Sequence, residues 1–287
     1  MDAQEPRLCP TGQVHQQGLP DSPAIKLSVE KISKVFSTRD ADGGKSHLLT
    51  VLRRVSFDVM QGEIVSLVGE SGSGKTTLLR IIQGLMRPDS GAVRIDGRKA
   101  EGPGRDRGFV FQQATLLPWR SARGNVEFGL ELQGMPRKMR AARARALLHL
   151  VGLESAGEQY PHQLSGGMQQ RVGLARALAI DPAILLMDEP FGALDAQTRE
   201  VLQAELLRIQ AETGKTVLFV THDLDEAIYL SNRIVVLASR PGRVSRIIDV
   251  PFTHPRKELP ILRGDPEFQR IRTEMASLIR GSSQLVA

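Results

Sequence analysis

Gly69, Glu70, Ser71, Gly72, Ser73, Gly74, Lys75 and Thr76, followed by Thr77, fit the Walker A pattern G-x-x-x-x-G-K-[ST]. Glycines at this spacing let a loop turn so that successive backbone N–H groups point inward at phosphate oxygens. Lys75 adds a mobile cation for the outer phosphates of a nucleotide. Thr76 offers a hydroxyl to Mg²⁺, a small hard ion that takes oxygen ligands at about 2.0–2.1 Å. Further along, the apolar run 184–187 delivers Asp188 and Glu189 side by side. Open α/β sheets bind their ligands at the carboxyl ends of strands, so two adjacent carboxylates there divide two duties. Asp188 is placed to hold Mg²⁺ through water, and Glu189 to polarise an attacking water as general base, a contribution of order 10²- to 10⁴-fold.

Leu164-Ser165-Gly166-Gly167-Met168-Gln169-Gln170-Arg171 is a second phosphate-binding helix end. Ser165 can cap the helix, and the two glycines leave its first N–H groups open to an anion. One nucleotide does not need two such cradles far apart on one chain, so this one is available to a nucleotide held by another subunit. Positioning these groups requires strands that end at the loops and helices that begin there. Residues 26–33 and 51–59 alternate like half-buried strands of an antiparallel layer, joined by a polar loop at 38–47. Residues 63–68 read as a buried strand that turns through the glycine loop into a helix at 75–85, and 92–96 and 108–111 as further strands. From 125 to 179 the period is helical, with breaks at Pro136, Gly152 and Pro161. Strands at 183–187, 216–220 and 233–237 then alternate with helices at 197–212 and 224–230, which implies a largely parallel sheet wrapped by helices with an inserted helical lobe.

LSGGMQQR is the signature of ATP-binding cassette (ABC) proteins. With GESGSGKT, ILLMDEP, Ala193-Leu194-Asp195 and Thr221-His222-Asp223 in order, the sequence resembles a complete cassette from about residue 26 to 250. The resemblance implies an α/β fold: a P-loop NTPase core with a mainly parallel sheet, an antiparallel β subdomain and an inserted α-helical subdomain at about 113–180. It places a flexible arm at 1–24, the ATPase domain at 25–250 and a C-terminal extension at 251–287. In the family, two cassettes face each other head to tail with ATP between them. That would set Ser165 and Gly167, with Gly166 and Gln169 in the same stretch, against the γ-phosphate held by a partner, and would make a homodimer the expected assembly. His222 would bond the γ-phosphate and orient Glu189. Gln112 would touch Mg²⁺ or the attacking water and report nucleotide state to the helical lobe, and Asp195 would cross the dimer. Phe36, after the first strand, would stack on adenine, or else serve as a core aromatic.

Composition bounds the cell biology. The 287 residues are 41% apolar and 24% charged with a net charge of +6, ordinary for a globular chain of one large α/β unit or two domains. No run reaches the ~18–20 apolar residues of a membrane helix. Residues 1–24 carry four prolines and no continuous apolar region, so a secretory leader is not expected and a cytosolic address is. Cys9, alone, can form neither an internal disulfide nor a cysteine metal cluster and reads as an inert thiol. Arg137, Lys138, Arg140, Arg143 and Arg145 are interleaved with apolar residues at helical spacing and read as a solvated helix face; no aromatic is interleaved for base stacking, so nucleic acid is not the expected partner.

Within the family, Leu116-Leu117-Pro118-Trp119, Tyr160-Pro161-His162-Gln163, Phe191-Gly192-Ala193-Leu194-Asp195 and Arg240-Pro241-Gly242-Arg243 resemble the ATPase subunits of nitrate, sulfonate, taurine and bicarbonate importers. That likeness implies a peripheral ATPase on the cytoplasmic face of the membrane, acting on a separate permease and, indirectly, on an extracytoplasmic solute-binding protein. Polyamine or glycine-betaine uptake is the neighbouring alternative, and a soluble cassette acting on nucleic acid or ribosomes the more distant one. An amphipathic helix opened by Asp265-Pro266, with Phe268, Ile271, Met275, Leu278 and Ile279 on one side, closes the chain.

Overall fold

The computed structural model describes residues 24–39, 46–253 and 255–284. The expected arm, apart from Ala24, together with Cys9 and positions 40–45 of the polar loop, lies outside the described residues. Two long strands, Ile25–Arg39 (β1) and Ser46–Met60 (β2), lead into Ile64–Gly69 (β3) and the helix Lys75–Gln83 (α1). Ser90–Ile95 (β4), Arg98–Lys99 (β5) and Arg107–Val110 (β6) follow. The helical lobe comprises Ala122–Leu132 (α2), Arg137–Leu150 (α3) and Gly166–Ala179 (α4). Ile184–Asp188 (β7), Ala196–Thr213 (α5), Thr216–Val220 (β8), Leu224–Leu230 (α6) and Arg233–Ala238 (β9) then alternate. Arg243–Asp249 (β10), Leu259–Arg263 (α7) and Pro266–Gln284 (α8) complete the described chain.

These strands form two sheets: an antiparallel one ordered β2-β1-β4-β5, and one ordered β10-β9-β3-β8-β7-β6. The second is parallel throughout except where β10 pairs antiparallel with β9. Strands buried on both faces need a nearly continuous apolar run, which Ile64–Gly69, Ile184–Asp188 and Thr216–Val220 supply apart from Ser66, Asp188 and Thr216. Alternation then sorts them. Val65, Leu67, Leu186, Leu218 and Val235 pack with Leu78, Leu79 and Ile82 of α1 and with the antiparallel sheet. Val68, Met187, Phe219 and Val236 pack with the helices on the other face. Because β8 lies between β3 and β7, the carboxyl ends of all three open on one edge, bringing the glycine loop, the carboxylate pair and His222 together.

Three differences from the sequence reading have physical causes. β1 and β2 run past the alternating stretches, so Phe36 lies inside β1, opposite Leu49, and not after it. The outer halves of these strands are held by backbone pairing while Leu48 and Leu49 stay exposed, so no hydrophobic alternation marks them. The first helix of the lobe starts at Ala122 and not at 125, because Ser121 caps α2 by accepting a hydrogen bond from Gly124 N at 3.2 Å. β5, β10 and α7 are short or exposed along one side and carry no periodic signal.

The C-terminal amphipathic helix is realised as α8, and Phe268, Ile271 and Met275 are fully buried against the main core. Phe268→Ala should lower unfolding stability by about 3–5 kcal/mol, measured as the shift in urea midpoint with unchanged slope.

Candidate nucleotide site

The glycine loop has the backbone its sequence demands. Gly72 and Gly74 adopt φ of 82° and 89°, in the left-handed region that favours glycine. A Cβ at Gly74 would also lie 2.6 Å from Leu52 Cδ2. Gly74 caps α1 with no side-chain hydrogen bond, and the first turn contains no acidic residue. The opening N–H groups of α1 therefore aim at the loop with the positive end of the helix dipole. Ser73 Oγ is buried and, among the described residues, has no hydrogen-bond partner. Lys75 Nζ donates to the carbonyls of Gly69 at 2.7 Å and Glu70 at 2.9 Å. Burial pushes its ammonium below the usual lysine range, while the carboxylates of Glu189, Asp188 and Glu70 act in the opposite sense. A concave loop of donors, an orphaned hydroxyl and a buried cation fit the phosphates of a nucleotide.

Behind the loop lies a turn whose role the sequence did not reveal. A side chain at Gly242 would collide with Ser73 O, so residues 240–243 pack directly against the loop. Ser239 Oγ donates to Glu70 Oε2 at 2.8 Å from the same direction. The only signal was the Arg-Pro-Gly-Arg wording itself, which says nothing of what it touches.

Asp188 ends β7, and Glu189 follows it with φ of 44°, a left-handed conformation uncommon for a side-chain-bearing residue. Burial raises the Asp188 carboxyl, the Glu189 charge raises it further, and Lys75 and Arg80 pull it back. Glu189 Oε2 lies 3.0 Å from Nδ1 of His222, which follows β8 and is exposed. A methyl placed on Gly192 would lie 3.2 Å from Gln112 Nε2 and 3.8 Å from Glu189 Oε2. Gln112, Glu189 and His222 thus converge near Lys75 and Asp188.

The signature stretch is built differently. Ser165 caps α4, accepting from Met168 N at 3.3 Å. Gly167 sits where a Cβ would come to 2.7 Å from Thr198 Cγ2, so α4 begins against α5. Asp195 caps α5 by accepting from Thr198 N at 3.0 Å, and these backbone hydrogen bonds hold its carboxyl below the ordinary range. Ser165, Gly167, Gln197, Thr198 and Val201 line an open groove that shares no residue with the Glu189 cluster. Gln169 spends its amide on the carbonyls of Pro161 and Leu164, bracing the turn before the helix. Phe36 is half-buried, with Lys34 Nζ 5.6 Å from its ring centroid. Its partner Leu49 precedes by two residues Val51, a neighbour of Gly74, which places Phe36 on the strand pair that flanks the loop.

Beneath His222 is a polar layer not foreseen from the sequence. Glu226 is buried, burial raises its carboxyl, and Gln203 Nε2 donates to it at 2.9 Å. Arg199 Nη2 donates to Leu194 O at 3.0 Å, and Nη1 lies 3.8 Å from Asp223 Oδ2. Arg199, Asp223 and Glu226 share a small cavity with Glu189, Gly192 and His222. The i, i+4 spacing of Arg199 and Gln203 on α5 was the one available sign. On α3, Arg140 pairs with Glu127 at 3.2 Å and Arg143 lies 3.9 Å from Asp181, as a solvated helix face would.

A phosphate loop after a central parallel strand, a carboxylate pair two strands away and a glutamate–histidine contact between them define a nucleotide-hydrolysing cassette of the P-loop class. A family model described as ABC transporter matches residues 52–192. The chain is 44% identical over 261 residues to the nitrate import ATP-binding protein NrtD of Synechocystis sp., spanning 90% of this chain and 96% of that protein. It is 45% identical over 250 residues to the taurine import ATP-binding protein TauB of Pseudomonas aeruginosa, spanning 86% and 93%. A solved dimeric ATP-binding cassette, MJ0796 bound to ADP and Pi, superimposes with a TM-score of 0.67 at 37% identity, covering 79% of this chain and all of that one. The chain belongs to the ABC transporter family and is an ATP-binding, ATP-hydrolysing subunit. Among the described residues, no helix is long and apolar enough to cross a membrane.

Lys75→Ala should weaken ATP binding at least tenfold, read by isothermal titration; unchanged affinity would contradict the phosphate role. Glu226 yields a pH effect. Its raised folded-state pKa means that the folded chain keeps a proton which the unfolded chain releases above about pH 4.3. Stability therefore declines as pH rises from there through the folded-state value. Glu226→Gln should remove this slope, so that the variant gains on the parent in urea midpoint as pH rises above the unfolded-state value.

Proposed function

We propose that this chain is the ATPase of an importer for a small anion or organosulfur compound of the nitrate, taurine or alkanesulfonate type. It would work from the cytoplasmic face of the membrane on separate permease subunits, supplied by an extracytoplasmic solute-binding protein. The observation that carries the ATPase chemistry is the 3.0 Å contact between Glu189 and His222. Likeness to the nitrate and taurine import proteins supports the choice of solute class.

In this reading the N–H groups of residues 69–77 and the Lys75 ammonium bind the β- and γ-phosphates, and Phe36 stacks on adenine. Glu189 accepts a proton from the water that attacks the γ-phosphorus. His222 holds the Glu189 carboxylate in place and donates to a γ-phosphate oxygen, so the same ring senses the phosphate and aims the base. Gln112 orients the attacking water. Thr76, Asp188 through water, and Gln112 would hold Mg²⁺, which neutralises phosphate charge when bound. Ser165, Gly166 and Gly167, with Asp195 beside them, present the uncovered start of α4 to the nucleotide of a second, identical subunit. The unit doing this is 25–250, with the lobe 113–180 reaching the permease and 251–287 as an appended segment.

Glu189→Gln should lower hydrolysis roughly 100-fold or more while retaining ATP affinity and trapping an ATP-bound dimer. Hydrolysis at the parental rate would overturn Glu189 as the base. The trapped variant should co-purify a polytopic permease from gently solubilised membranes, and uptake of nitrate, taurine and alkanesulfonates into cells lacking the chain then tests the solute class. Recovery with nucleic acid that is lost steeply with salt would instead favour a non-transport role.

A further inference from the structure

The short helix α6 begins just after His222 and spans seven residues, Leu224–Leu230. Two turns of helix do not hold their own geometry, so the placement of α6, and of the histidine at its entrance, depends on tertiary contacts. A substantial share of those contacts comes from the segment beyond the cassette motifs, the rest from β3 and α5. Asp225, in the first turn of α6, receives one guanidinium on each oxygen: Arg263 Nε at 2.9 Å from Oδ2 and Arg272 Nε at 2.7 Å from Oδ1. Arg263 Nη1 also lies 3.6 Å from Glu200 on α5, the helix capped by Asp195. At the other end of α6, Arg256 donates to the carbonyls of Ile228, Tyr229 and Ser231, covering the groups that a helix C-terminus leaves open. Burial lowers the Arg256 guanidinium to about 10 without removing its charge at neutral pH. The base of this clamp is rigid, because Phe268, Ile271 and Met275 of α8 are fully buried.

We propose that Arg263 and Arg272, through Asp225, are positioning residues for His222, so that the C-terminal segment sets the rate of ATP hydrolysis without touching ATP. The proposal rests on the role given to His222 above. Arg263 and Arg272 are half-exposed, so their ion pairs contribute little to overall stability. Catalysis is far more sensitive, since a misplacement of about 1 Å can cost on the order of 100-fold in rate. A positioning role therefore predicts a loss of kcat out of proportion to any change in Tm.

The test uses the full chain and steady-state ATP hydrolysis. Asp225→Asn, and separately Arg263→Ala with Arg272→Ala, should each lower kcat about tenfold, with KM for ATP within about twofold of the parent and Tm within a few degrees. Combining all three changes should cost no more than either set alone. Arg272→Lys, in a chain that keeps Arg263, should restore most of the rate lost in Arg272→Ala. In a His222→Ala background, where single-turnover rates replace kcat, the clamp changes should cause no further loss. The inference is overturned if the clamp variants keep the parental kcat, or if they slow the His222→Ala protein by the same factor as the parent. A His222→Ala chain that hydrolyses ATP at the parental rate would instead remove the role of His222 itself. Should Asp225→Asn fail to fold, the exposed Arg272→Ala variant alone carries the same comparison.

Discussion

Everything at the site is arranged around the ammonium of Lys75. It is buried, tied to two carbonyls of its own loop, and felt by Asp188 and Glu189. A cation removed from water needs nearby negative charge, and the carboxylates at the end of β7 provide it; Asp188 is raised chiefly by its own burial and further by the Glu189 charge beside it. A phosphate bound in the loop, as proposed, would change this balance directly. The parallel sheet is what makes the arrangement possible, since β3, β8 and β7 end side by side and present their terminal residues to one another.

The same constraint explains how the surroundings are used. Gly242 and Ser239 press on the phosphate loop from the side of β9, and Gly192 leaves room for Gln112 beside Glu189. His222 stands at the end of β8 but is steered from below by α6, whose two ends are held by arginines from a segment outside the cassette motifs. The signature helix lines a different groove: it begins against α5, and the groove at its start shares no residue with the Glu189 cluster.

Much of this was legible in the residues. Walker A, the Asp188-Glu189 pair and the signature are local motifs, in which chemistry and backbone shape are written in neighbouring positions. The parallel core was legible as well, because strands buried on both faces are predominantly apolar. The outer halves of β1 and β2 were not, since backbone pairing holds them while their side chains stay exposed; Phe36 moved into a strand for that reason. Glu226 and Arg199 were missed because their meaning lies in each other and in Asp223, on a different element.

What the sequence by itself determined is therefore the phosphate loop, the strand that feeds it, the carboxylates and the family. Each depends on residues a few positions apart, whose steric and electrostatic demands are met locally. What only the tertiary structure decided is which side chains meet across elements: Glu189 with His222, Gln112 with Gly192, the 240–243 turn with Ser73, and Asp225 with Arg263 and Arg272. Such pairs join residues far apart in the chain, and their distances are set by how the sheets and helices pack, a property that no local pattern of residue types encodes.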